Sequence, residues 1–305
     1  MDCRWFGIIG IAIFAYLLLN INLQYLVSQF KNINLPLFFL SLILAIPCIL
    51  VKALKWLLLV EARDRISVQK AMLAWVVGFG YGLITPARLG DFLRAKFLKI
   101  KLSKSLPTVL VDRLNDVLAL FIFGILCVFV VLSKEIYLST LAYLFVFFFI
   151  LFLIGIFILR NRNFVVQIGR PFYKFFVPKK FKKFVGRNFD EFYGVLEKMN
   201  RKAIILNFVF TVLAWLISFA QYWLLALALG LDLNYLAICL VSPILLLVQL
   251  IPISISGIGT REAASVLLLR LFGITPELAI LFSLGILIED YILGGFGLAI
   301  GFKVK

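Results

Sequence analysis

Histidine is absent from the 305-residue sequence, so no imidazole can act as base, proton shuttle or metal ligand. Charge is scarce too. Asp, Glu, Lys and Arg make up 15% of the chain, where a soluble domain carries roughly 25%. The four cysteines, Cys3, Cys48, Cys127 and Cys239, stand apart and mostly inside apolar runs. They form neither a metal-binding spacing nor a disulfide framework. No Walker A phosphate cradle occurs, which argues against ATP as an energy source. Any proton chemistry falls to carboxylates, Tyr or Lys, and no cofactor or metal is implied.

What the chain has instead is apolar length. It is 64% hydrophobic with 32 phenylalanines, and several runs reach the about 20 residues that cross a hydrocarbon core as a helix. The spanning candidates are Trp5–Val27, Leu35–Val60, Thr108–Leu132, Ile136–Leu159, Ala203–Leu229 and Glu277–Phe302. The first is too long for a signal-peptide core and lacks a small-residue cleavage site, so it reads as a retained helix. The formal charge of +16 flanks these runs, which fits topology and anionic headgroups better than nucleic acid. The fold class is therefore an all-α polytopic membrane protein.

Two further apolar segments are interrupted. Val68–Ile100 breaks at "ITPARLG" (Ile84–Gly90), and Tyr235–Phe272 breaks at "IPISISGIGTRE" (Ile251–Glu262). Between the halves, residues 160–202 hold twelve Lys and Arg against Asp190, Glu191 and Glu197, interleaved with Phe and Tyr. That linker suits a helix lying on an anionic cytoplasmic membrane face. Taking it as inside, the loops at Glu61–Lys70 and Arg94–Lys104 are also inside. The loop "GLDLN" at Gly230–Asn234 has no Lys or Arg and is outside. Each interrupted segment then begins and ends on one side, and each is predicted to be a re-entrant hairpin. The two halves, residues 1–159 and 203–305, read as an inverted-topology repeat with six spans, hairpins at 68–100 and 235–272, and both termini cytoplasmic. Paired interrupted segments point to a transport site. The alternative, in which every limb spans the bilayer, puts a cationic loop outside.

An unwound backbone at membrane depth survives only inside protein or a watery cavity, so the two breaks are predicted to face each other. Thr85 and Pro86 read as N-cap and first residue of a half-helix, and Thr260 as the N-cap of a second. Such termini favour anions. Substrate-binding candidates are Arg88, Arg94, Arg113, Gly257, Gly259, Thr260 and Arg261, with the guanidinium groups suited to phosphate. Asp91, Asp112, Asp116, Glu262, Glu289 and Asp290 are charge-pairing or proton-coupling candidates, since a charge at bilayer depth costs at least about 2.5–3.5 kcal/mol. The competing reading of each is a structural ion pair, with Arg113 anchoring at the membrane surface and Arg270 and Glu277 at the outer rim.

"LITPARLGDFLRAKFLK", "VDRLNDVLAL" and "IPISISGIGTREAA" resemble, in order and spacing, the signature stretches of the lysylphosphatidylglycerol synthase transmembrane-region family. These are flippase-like integral membrane proteins of bacteria and archaea. The family's usual Gly-Glu is Gly90-Asp91 here, and its usual Glu-Arg is Asp112-Arg113. The resemblance implies a prokaryotic cell membrane protein that moves a phospholipid or polyprenyl-phosphate-linked lipid between leaflets. It also implies partners among anionic membrane lipids and a lipid-modifying enzyme or glycosyltransferase. The soluble aminoacylating domain of bifunctional members has no room before Lys305, so the synthase activity is not expected. Two other classes stay open: an intramembrane enzyme acting on lipid phosphates, and a non-catalytic partner of a lipid-modifying enzyme.

Overall fold

The computed structural model describes residues 4–60, 66–98, 100–130, 139–167, 179–251, 254 and 256–303. Every regular element among them is helical: α1 (Arg4–Leu19), α2 (Leu23–Lys31), α3 (Leu35–Leu57), α4 (Val68–Leu83), a 3-10 segment (Pro86–Leu93), α5 (Arg94–Phe97), α6 (Leu102–Val130), α7 (Ser139–Arg160), α8 (Lys179–Lys198), α9 (Arg201–Ala228), α10 (Tyr235–Leu250), α11 (Thr260–Leu269), a 3-10 turn (Arg270–Phe272) and α12 (Pro276–Lys303). A helix satisfies its own backbone polar groups, which hydrocarbon demands. By length and composition, four described helices can cross a membrane: Leu35–Leu57, Tyr143–Arg160, Arg201–Ala228 and Pro276–Lys303. Counting α1 and α2 as one bent span makes five. The chain is a helical membrane protein.

The first predicted span is not one straight helix. Its two parts bend by 93°. The sequence there is Asn-Ile-Asn, and the asparagines compete with the helix for its own backbone. Asn20 Nδ2 donates to Tyr16 O at 2.7 Å, and Asn22 Oδ1 accepts from Tyr25 N at 3.0 Å as the N-cap of α2. Glu277, expected at an outer rim, accepts from Asn22 N at 3.2 Å and ties this bend to the start of α12.

Both interrupted segments fold back on themselves. The 3-10 segment packs along α4, and α11 packs along α10. A Cβ on Gly90 would lie 2.1 Å from Tyr81 O, so only glycine lets the return limb lie this close. At 16 residues each, α4 and α10 reach about 24 Å, short of a core about 30 Å thick.

Thr85 and Pro86 take the predicted N-cap and first positions, but what they open is not a regular half-helix, and the second turn starts one residue earlier than predicted. After Pro86, Ala87 and Arg88 adopt left-handed φ of 52° and 54°, and 3-10 turns follow. Thr85 caps nothing with its side chain: Oγ1 donates back towards Tyr81 O and accepts from Gly90 N at 2.7 Å. In the second break the N-cap is Gly259 (φ 86°), and Thr260 is already the first helical residue. Pro252, Ile253 and Ile255 lie outside the described residues, as do Arg63 and Arg65 in the loop after α3.

Apolar packing gathers in two main centres. Phe219, Leu225, Ile238, Leu269 and Phe282 are wholly buried among α9, α10, α11 and α12. Ala53, Trp56, Ala71, Ala95 and Val109 are buried among α3, α4, α5 and α6. Small residues bring α4 and α12 together. A Cβ on Gly80 would sit 2.5 Å from Gly294 O, and one on Gly297 would sit 2.1 Å from Val76 O. Close backbone approach of this kind is how membrane helices gain dispersion contacts without a hydrophobic driving force. The linker helix α8 packs on α6, where Glu191 accepts from Lys101 Nζ and, at 2.6 Å, from Ser103 Oγ. The linker's residues 168–178 lie outside the described set.

Candidate functional site

Among the described residues, the predicted charged side chains collect in three places, and their degree of closure separates them. The first is a buried network where α3, α5 and α6 meet. Asp112 and Asp116 share a face of α6 at four-residue spacing. Asp112 pairs with Arg94 at 2.6 Å and with Lys55 at 2.9 Å, while Asp116 pairs with Lys55 at 2.8 Å. Arg113 reaches Asp91 at 3.1 Å and Asp116 at 3.6 Å. Asn207 Nδ2 donates to Asp112 at 2.8 Å, and the Arg94 guanidinium lies 4.5 Å from the Trp56 ring centre. Lys55, Arg94 and Arg113 balance Asp91, Asp112 and Asp116, so the network is formally neutral. It binds α3, the first hairpin, α6 and α9 together.

The second place is the start of α11. Arg261 and Glu262 are both almost fully buried. Glu262 accepts from Gly259 N at 2.6 Å, placing the chain's own carboxylate at the helix terminus expected to hold a substrate anion. Arg261 Nε donates to Ser283 Oγ at 2.9 Å, Nη2 donates to Ser283 O at 2.9 Å, and Ser283 Oγ donates to Glu262 at 2.8 Å. Gly257 and Gly259 serve close packing: their Cβ positions would fall 2.9 Å from Gln249 Cγ and 2.1 Å from Gly10 O. Thr260 Oγ1 shares a hydrogen bond of 2.9 Å with Ser254 Oγ. The second break touches the end of α4, just before the first break, through a hydrogen bond from Ser256 Oγ to Leu83 O.

The third place is open. A cavity of about 410 Å³ lies among α3, α4, α9 and α12. Arg88, from the first break, and Asp290 meet at its wall across 3.1 Å, both partly exposed. Glu289 also lines it. Its carboxylate accepts from Ser41 Oγ on α3 and from Gln221 Nε2 on α9 at 2.8 Å. Lys52 lines the cavity between the Trp75 and Trp215 rings, 5.2 and 4.7 Å from their centres. Phe39, Ile43 and Ile46 of α3 and Ile292 and Phe296 of α12 line it too while being exposed on the outer surface. The cavity thus has an apolar mouth between two spanning helices and a polar, charged interior.

Of the predicted site residues, only Arg88, Glu289 and Asp290 line this cavity. Arg94, Arg113, Asp91, Asp112 and Asp116 are drawn into the neutral network, and Arg261 and Glu262 into the cap of α11. The sequence reading missed Lys52 and Lys55. The signal was available: two lysines three residues apart inside the apolar run Leu35–Leu57 carry the same depth cost that drew attention to Glu289.

A relative described as a UPF0104 membrane protein, MJ1595, from Methanocaldococcus jannaschii is 26% identical over 93% of this chain and 88% of its own length. No solved structure matches. The model of the family described as the lysylphosphatidylglycerol synthase TM region matches residues 7–295. With nearly the whole length matched, the chain belongs to the lysylphosphatidylglycerol synthase TM-region family.

Proposed function

We propose that this protein moves a phospholipid or polyprenyl-phosphate-linked lipid between leaflets, as a flippase or scramblase. The cavity carries the reading. Its mouth is lined by lipid-facing residues of α3 and α12, and its interior holds Lys52, Arg88, Glu289 and Asp290. A lipid meets that gradient with chains at the mouth and head group inside. Polar and charged groups in a membrane interior are costly unless water or a polar ligand meets them.

Arg88 is the predicted phosphate ligand best placed for this role. Its partner Asp290 can release it to a head-group oxygen, since a guanidinium exchanges one oxyanion for another at little cost. Arg94 and Arg261 support transport by holding the hairpins rather than by touching lipid. The wider frame consists of six spans, two re-entrant hairpins related as an inverted repeat, and both termini in the cytoplasm of a prokaryotic cell. The basic linker 160–202 would lie on anionic lipid or against a lipid-modifying enzyme. Energy, where used, would come from an ion gradient or from consumption of the lipid.

The test is translocation of fluorescent phospholipids in proteoliposomes containing wild type or Arg88→Gln. The expected result is lipid movement that falls about tenfold or more in the variant, the loss that about 1.4 kcal/mol of stabilisation represents. No movement of any anionic or polyprenyl-phosphate lipid by well-folded protein would overturn the reading.

A further inference from the structure

Two lysines on α3 have opposite fates. Lys55 is fully buried and closed by Asp112 and Asp116. Lys52, one turn earlier, forms no ion pair with any described residue. Its Nζ donates to Ser218 Oγ at 3.3 Å and otherwise faces the Trp75 and Trp215 rings. An ammonium has three N–H donors. Ring faces attract a cation but leave its charge in place.

The surrounding donors are also unused. Trp75 and Trp215 line the same cavity at 3% and 9% exposure, and neither indole N–H has an acceptor among the described residues. Arg88 Nε is likewise unpartnered. These three nitrogens are closed off by protein, so the cation of this cavity left without an ion pair among the described residues is Lys52. We infer that Lys52 is the head-group anchor of this cavity, binding the phosphate of a phosphodiester lipid. This rests on the lipid-translocation reading and names the chemical group it recognises.

The balance of charge decides how much anion fits. Arg88 is neutralised by Asp290. Glu289 faces the same space and is held by the neutral donors Ser41 and Gln221. With Glu289 ionised, Lys52 and Arg88 balance Glu289 and Asp290, so each negative charge on a bound lipid is answered by Lys52 and opposed by the two carboxylates. A phosphodiester adds one such charge and a lipid diphosphate adds more. The site therefore selects a phosphodiester over a diphosphate.

The experiment titrates full-length protein in detergent with short-chain phosphatidylglycerol, a short-chain polyprenyl diphosphate and inorganic phosphate, read by tryptophan fluorescence. Lys52→Met removes the charge at similar length and Lys52→Arg keeps it, with unfolding midpoints recorded for each. Saturable phosphatidylglycerol binding that weakens at least about tenfold in Lys52→Met and is largely kept in Lys52→Arg is the expected result, on the scale of a lost charge-assisted hydrogen bond. Equal binding by wild type and folded Lys52→Met overturns the anchor. Should Lys52→Met not fold, Lys52→Gln takes its place, with the same loss of at least about tenfold expected and unchanged binding overturning the anchor. Tighter binding of the diphosphate overturns the charge selection. Competition by inorganic phosphate at matched concentration assigns the site to a soluble anion and overturns its lipid origin. Lys52-dependent binding without lipid translocation removes the transport reading and leaves the site; translocation with Lys52-independent binding does the reverse.

Discussion

Asp112 touches both Lys55 and Arg94 with fully buried carboxylate oxygens and accepts from Asn207 as well. Removing it strands a buried guanidinium whose ion pairs among the described residues all run to Asp112, and that is where buried charge becomes expensive. Asp112→Ala is expected to destabilise the protein by about 3–5 kcal/mol, seen as a large fall in unfolding midpoint in detergent; an unchanged midpoint would contradict the network's role. The Arg88–Asp290 pair is a contrast, because both side chains are partly exposed to the cavity. Asp290→Asn leaves Arg88 facing a cavity rather than close-packed protein, and should cost less stability than Asp112→Ala while changing lipid translocation in proteoliposomes. A midpoint loss as large as that of Asp112→Ala would instead make Asp290 a structural residue. At this scale the sequence pointed to the right kinds of residue but could not sort them. Arg88, Arg94 and Arg261 look alike along the chain, and only their partners separate a cavity wall from a buried brace.

The hairpins depend on backbone contact, so glycine is where they are vulnerable. A methyl group on Gly90 would meet Tyr81 O at 2.1 Å, and one on Gly297 would meet Val76 O at the same 2.1 Å. Gly90→Ala and Gly297→Ala should each cost about 1–3 kcal/mol through forced backbone shifts. Gly155 in α7 has no atom within 4 Å of its Cβ position; Gly155→Ala should be neutral or stabilise by about 0.5–1 kcal/mol. Thermal unfolding of the three variants side by side checks the order, and equal effects would contradict it. The breaks themselves were legible as Pro and Gly interruptions in apolar runs. Their geometry was not. The left-handed pair Ala87–Arg88 sits inside a local loop closed by Thr85 Oγ1 on Gly90 N, a five-residue contact that apolar periodicity does not encode, while Arg261 and Glu262 are fixed by the distant Ser283. The bend at Asn20–Asn22 was legible too, since two asparagines inside an apolar run are helix-capping residues, yet the length of the run outweighed them.

For the whole molecule, topology is the open measurement that the hairpin proposal controls. Ser67 before α4 and Lys104 in α6 are both exposed. In a cysteine-free background, Ser67→Cys and Lys104→Cys are expected to react with a membrane-impermeant maleimide from the same side, and Asp232→Cys from the other. Labelling of the first two from opposite sides would make the first hairpin a spanning pair and remove the inverted repeat. By itself, the sequence determined that the chain is helical, membrane-embedded and interrupted at two places, because apolar run length, Pro and Gly act locally. It also carried the family, since the signature stretches are contiguous. Which charges cancel was decided only in three dimensions. Lys55 and Asp112 are far apart in the chain and touch only because α3 and α6 pack against one another, while Lys52 escapes neutralisation because its turn of α3 faces a cavity instead. Coulomb interactions fall off over a few ångströms of space, and the packing of the helices decides who lies within that reach.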